Sequence, residues 1–85
     1  MSTIVEIRAL LKQHGKLPVD VATLDDDADL YAAGLTSFAS VQLMLALEER
    51  FDVEFPDSLL NRTSFASIGA IAKAVESILP EEQVA

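Results

Sequence analysis

Gly34-Leu35-Thr36-Ser37-Phe38-Ala39-Ser40-Val41-Gln42-Leu43-Met44-Leu45-Ala46-Leu47-Glu48-Glu49-Arg50-Phe51 is a glycine turn that runs straight into a long apolar helix, and its reading decides the fold. Gly34 tolerates backbone angles that other residues resist, so it can end whatever precedes it. Thr36 offers a side-chain oxygen where a helix needs one, because the first backbone N–H groups of a helix have no internal partners. The helix is therefore predicted to begin at about Ser37, with that hydroxyl at its mouth. Plotted at about 100° per residue, the helix is apolar on more than one side. One stripe runs through Leu43, Met44, Leu47 and Phe51, and a second through Phe38, Val41 and Leu45 into the acidic pair Glu48 and Glu49. A small domain has one core, so unless other elements wrap most of this helix, the surplus stripe is a contact surface.

Working outward, Thr3-Ile4-Val5-Glu6 has the spacing of a capping box, with Thr3 as cap and Glu6 reaching back. Ile4, Ile7, Leu10, Leu11 and His14 fall within one arc, which predicts a first helix over 3–14, with Gly15 as a left-handed terminator. From Lys16 to Leu35 no period is sustained; this is a long loop, ordered because Leu17, Val19, Val21 and Leu24 are spaced to pin it onto a core. Leu30-Tyr31-Ala32-Ala33 reads as a single turn before Gly34. Beyond Phe51, Pro56 fits the first turn of a short helix through Leu60, and Asn61-Arg62-Thr63 reads as a connector. Ser64 is placed to cap a last helix whose stripe is Phe65, Ile68, Ile71, Ala72, Val75, Ile78 and Leu79; Pro80 stops it, and 81–85 should fray. The fold class expected is all-α: a small four-helix bundle, three longer helices plus one short one, with a long ordered first loop. Residues 1–85 make a single domain, because the length is too short for two.

Composition narrows the function classes. The 85 residues carry a formal net charge of −8, which disfavours nucleic acid and anionic membrane surfaces and favours basic partners. No apolar run is long enough to span a bilayer, and the N-terminus lacks the layout of a signal peptide, so a cytoplasmic monomer is expected. The absence of cysteine removes a disulfide scaffold, a thiolate metal site and a cysteine nucleophile from this chain. Asp25, Asp27 and Asp29 sit at the first alternate positions of an EF-hand loop, yet Leu30 stands where the sharp turn needs Gly and Thr36 where a bidentate Glu belongs; no metal site is assigned. His14, the only histidine, reads as a helix-end residue.

Catalytic equipment is missing too. Ser37 has no evident base, Glu48 and Glu49 are adjacent and point in different directions around the helix, and the three glycines are too scattered to cradle a phosphate. No catalytic residue is assigned. A hydroxyl that cannot act alone can still be an attachment point, and a phosphate joined to Ser37 would meet the positive end of a helix dipole.

Asp29-Leu30-Tyr31-Ala32-Ala33-Gly34-Leu35-Thr36-Ser37-Phe38, followed by Val41, Leu43 to Phe51 and Pro56, resembles the acyl carrier protein family, and the resemblance covers nearly the whole chain. In that family the Ser of an Asp-Ser-Leu motif is linked through a phosphodiester to 4′-phosphopantetheine, and Ser37 matches it. The resemblance implies a carrier, not an enzyme: a phosphopantetheinyl transferase using coenzyme A, with Mg²⁺, would convert apo to holo protein at Ser37. An adenylating acyl or aminoacyl ligase, or an acyltransferase, would load the thiol for a downstream synthase. Thr36 and Phe38 stand where fatty-acid-type members usually have Asp and Leu, and Ala39, Gln42 and Arg50 where carboxylates are frequent. Docking is thereby expected to rest on Thr36, Phe38, Val41, Gln42, Leu45, Glu48 and Glu49, with more reliance on the apolar members. The alternative from a different class is an unmodified helical adaptor that binds a partner through the second apolar stripe.

Overall fold

The structure is a computed structural model that describes residues 3–79. It contains three α-helices, α1 (Thr3–His14), α2 (Ser37–Phe51) and α3 (Ile68–Ile78), and among the described residues there is no strand. The connections contain three single 3-10 turns, Val21–Thr23, Asp57–Leu59 and Thr63–Phe65. One core joins the helices: Ile7 and Leu11 of α1, Leu43 and Leu47 of α2, and Ile68, Ile71 and Val75 of α3 are all fully buried. From Ile68 on, the α3 stripe is as expected, with Ile78 and Leu79 packed at its edge, whereas Phe65, expected at its start, is buried from the separate 3-10 turn Thr63–Phe65.

The first loop is ordered by polar contacts as well as by apolar anchors. Leu30, Leu35 and Val21 are buried, and Leu17 and Leu24 pack against the core, whereas Val19, expected as a fourth anchor, stays exposed. Arg8 of α1 donates to Val21 O at 2.9 Å and pairs with Asp26 Oδ1 at 2.7 Å. Backbone donors complete the tie, Leu30 N to Ala66 O at 2.7 Å and Gly69 N to Asp26 O at 2.8 Å. The acidic run is thus partly absorbed into structure: Asp26 holds α1, while Asp29 Oδ1 accepts from Tyr31 N and Ala32 N.

Four local expectations are corrected. Gly15 is not the left-handed residue after α1; Lys16 is, at φ 53°, and Gly15 is needed because a Cβ there would lie 2.7 Å from Leu11 O and Cδ1. Glu6 does not reach back to Thr3; its Oε2 accepts from Arg50 Nε of α2 at 2.8 Å, an ion pair across the α1–α2 seam. The short fourth helix is only the turn Asp57–Leu59, with Pro56 before it rather than inside it. Asn61 stops that turn by donating from Nδ2 to Ser58 O, the carbonyl that a continuing helix would offer to Arg62 N. Ser64 is not the cap of α3, because its N–H and hydroxyl both donate to Asn61 Oδ1; Ser67, extended at φ −148°, caps α3 by accepting from Ala70 N. Pro80 and the tail 81–85 lie outside the described residues.

Candidate functional site

The approach to Ser37 is built one residue at a time. The Asp29 side chain holds the turn that follows it, closed by Ala33 N to Asp29 O at 3.0 Å and Gly34 N to Tyr31 O at 3.1 Å. Gly34 then leaves at φ 120°, a value an L side chain rarely adopts, and a Cβ there would stand 2.7 Å from Pro18 Cδ. Leu35 drops into the core, fixed by Leu35 N to Leu30 O at 2.9 Å. Thr36 is extended at ψ 162° and caps α2, its Oγ1 accepting from Ala39 N at 3.0 Å. Thr36 therefore does the capping that a serine at this place would otherwise do, and Ser37, the first residue of α2, is exposed. The Ser37 and Phe38 N–H groups lie in the first turn, where α-helical geometry gives them no intrahelical acceptor, so the hydroxyl stands in the positive field of the helix end.

The two stripes of α2 part company. Ala39, Leu43 and Leu47 face the core, with Met44 and Phe51 packed at its edge. Phe38, Val41 and Leu45 are exposed at 68%, 49% and 51%, so no element among the described residues wraps that side. Gln42 and Glu49 are exposed on the same helix, beside a groove of about 550 Å³ shared with Leu10 and His14 of α1. Glu48, expected at the docking surface, is half-buried; its Oε2 accepts from Phe55 N at 2.7 Å and fastens the segment after α2. Ala39 is 3% exposed, so its lack of a carboxylate reflects packing rather than a change in the surface.

On the other flank of Ser37 lies a second groove, of about 420 Å³, between α2 and the connector after it. Ser37, Ser40, Val41 and Met44 of α2 line it together with Tyr31, Leu60, Asn61, Arg62 and Phe65. Phe65 is held by stacking on Phe55, with ring centroids 5.6 Å apart, and the Arg62 guanidinium lies 4.1 Å over the Tyr31 ring. Sequence reasoning treated 61–63 as a connector and missed this wall. No period or motif marks it, since only the tertiary fold brings Tyr31 and Arg62 together.

Residues 4–75 match the family described as "Phosphopantetheine attachment site". The chain is 62% identical over 79 residues to the aminoacyl carrier protein of Agrobacterium fabrum, covering 93% of this chain and 95% of that one. It is 38% identical over 77 residues to the D-alanyl carrier protein of Latilactobacillus sakei, covering 88% of this chain and 92% of that one. Among solved structures it is similar to a chain in the crystal structure of an engineered Bradyrhizobium japonicum glycine:[carrier protein] ligase complexed with carrier protein from Agrobacterium tumefaciens and ATP. That match has a TM-score of 0.87 and 62% identity, covering 89% of this chain and 99% of the other.

Proposed function

Because the chain belongs to the phosphopantetheine attachment-site family, we propose that Ser37 is the residue that bears its 4′-phosphopantetheine arm. The protein is a carrier that holds an acyl or aminoacyl group and presents it to partner enzymes. The arm supplies the terminal thiol, absent from the cysteine-free chain itself, on which such a group is held as a thioester. What carries the assignment of Ser37 is its display. Thr36 takes over the cap, and Ser37 is left exposed at the first position of α2, where a transferase can reach the oxygen.

This chain's own residues do three things. The Asp29–Thr36 turn fixes where the hydroxyl stands, through Gly34 and the buried Leu35. The first turn of α2 presents N–H groups and a partial positive charge to a phosphodiester at that oxygen. Phe38, Val41 and Leu45, flanked by Gln42 and Glu49, offer an apolar face next to it for docking. Glu48, half-buried with Oε2 accepting from Phe55 N, borders this face.

The cargo read here is an amino acid, supported by the similarity to an aminoacyl carrier protein and to a chain crystallised with a glycine:[carrier protein] ligase. An adenylating aminoacyl ligase is then the loading partner, a phosphopantetheinyl transferase the enzyme that installs the arm from coenzyme A, and a downstream acceptor enzyme takes the cargo. The chain is their substrate rather than a catalyst, working as a single monomeric domain in the cytoplasm, where coenzyme A and ATP are drawn. No described helix is long and apolar enough to cross a membrane. The adaptor alternative accounts for the exposed face of α2 but leaves the family match over 4–75 without a cause. Incubating holo protein with an adenylating glycine ligase, ATP and single amino acids, with intact-mass readout, tests the cargo. An aminoacyl adduct lost on treatment with hydroxylamine is expected, and holo protein that stays at its unloaded mass with every amino acid would overturn the reading.

A further inference from the structure

The geometry points to Arg62, which lies over the Tyr31 ring, as a binding residue for the phosphodiester of the arm, lodging the arm's near end in the groove beside Ser37. This rests on Ser37 bearing the arm. The occupant follows from continuity: Ser37 itself lines the groove, so a group joined to its oxygen starts at the groove's rim. Charge complementarity points the same way. In a chain of net charge −8, the single charged residue lining this groove among the described residues is a cation. Arg62 takes no part in the two ion pairs formed among the described residues, Arg8–Asp26 and Arg50–Glu6, so no carboxylate in them competes for it. Its guanidinium carbon lies 4.1 Å from the centroid of the Tyr31 ring, a cation–π contact that holds the charge at the groove wall.

Size and lining are suited to the rest of the arm's near end. About 420 Å³ falls within the roughly 300–1,000 Å³ of small-molecule sites, and Met44, Leu60 and Phe65 supply apolar wall while Ser40 supplies a hydroxyl.

The test compares wild type and Arg62→Gln, each prepared without and with co-expressed phosphopantetheinyl transferase, with intact mass confirming the arm. Arg62 is exposed, so the substitution leaves the core alone, and unchanged α3 amide signals in the apo variant verify this. In wild type, loading is expected to shift the Tyr31 ring, Met44 and Leu60 methyl and Arg62 side-chain NMR signals. In Arg62→Gln the shifts at Tyr31, Met44 and Leu60 should fall roughly two- to fivefold, the scale of losing one exposed charge pair. High salt should reduce the wild-type shifts in the same direction. Arg62→Lys, which keeps the charge but loses the guanidinium's paired donors, should fall between the two. Loaded wild type with shifts confined to residues 36–40, or groove shifts untouched by Arg62→Gln, overturns the proposal while the attachment at Ser37 stands. Absence of any mass gain overturns the attachment and this proposal together.

Discussion

The two apolar stripes of α2 are nearly matched in hydropathy and differ completely in fate. Leu43 and Leu47 are fully buried, while Val41 and Leu45, two residues before each of them, are about half exposed. The difference does not lie in the side chains. It lies in what the rest of the chain supplies: α1, α3 and the pinned first loop cover one side of α2, and nothing among the described residues covers the other. A chain of 85 residues has too little structure to wrap a helix all round, so a helix apolar on two sides has one side reserved for something else. In a carrier, that side adjoins the attachment point.

The sharpest way to break this contrast is to truncate one residue from each stripe. Leu43→Ala should lower unfolding stability by about 2–5 kcal/mol, the cost of a core cavity, whereas Leu45→Ala should change it by less than about 0.5 kcal/mol. Urea melts of the two variants check this, and equal losses would mean the outer stripe is structural. Partner affinity should respond in the opposite sense. Phe38→Ala, exposed beside Ser37, should weaken binding to the loading ligase by roughly tenfold, about 1.4 kcal/mol, with the melting curve unmoved, as read by calorimetric titration.

A smaller effect separates the two neighbouring hydroxyls. Thr36→Ala removes the acceptor for Ala39 N and should cost about 1 kcal/mol of stability while leaving the arm attached; Ser37→Ala should be within about 0.5 kcal/mol of wild type. Thermal melts in parallel with intact mass distinguish a cap from an attachment point. Smallest of all is Arg50→Ala. Its pair with Glu6 spans the α1–α2 seam with the Arg50 side chain 46% exposed, so the loss should be under about 1 kcal/mol and should shrink as salt is raised.

How much of this was legible beforehand follows from the physics of each signal. The helices were, because a stripe such as Ile68, Ile71 and Val75 repeats along the chain and depends on no distant partner. The Gly34–Thr36–Ser37 entry was, because a left-handed glycine and a hydroxyl cap are local requirements. Caps that compete with one another were not. Ser64 and Ser67 are both able to start α3, and Asn61, three residues upstream of Ser64, decides between them by taking Ser64's N–H and hydroxyl. Charged residues were the least legible. Glu6 reads as half of a capping box, Glu48 as a docking residue and Arg62 as part of a connector, yet they hold Arg50, Phe55 N and the Tyr31 ring, contacts 44, 7 and 31 residues away in the chain. Periodicity carries no information about such partners.

The account depends most on one oxygen. Wild type and Ser37→Ala, each co-expressed with a broad-specificity phosphopantetheinyl transferase and weighed intact, give the most direct test. We expect wild type to gain the mass of a single phosphopantetheinyl group and the variant, folded by circular dichroism, to gain none. A gain that persists in Ser37→Ala, or a wild type left at its unmodified mass, would contradict the central claim.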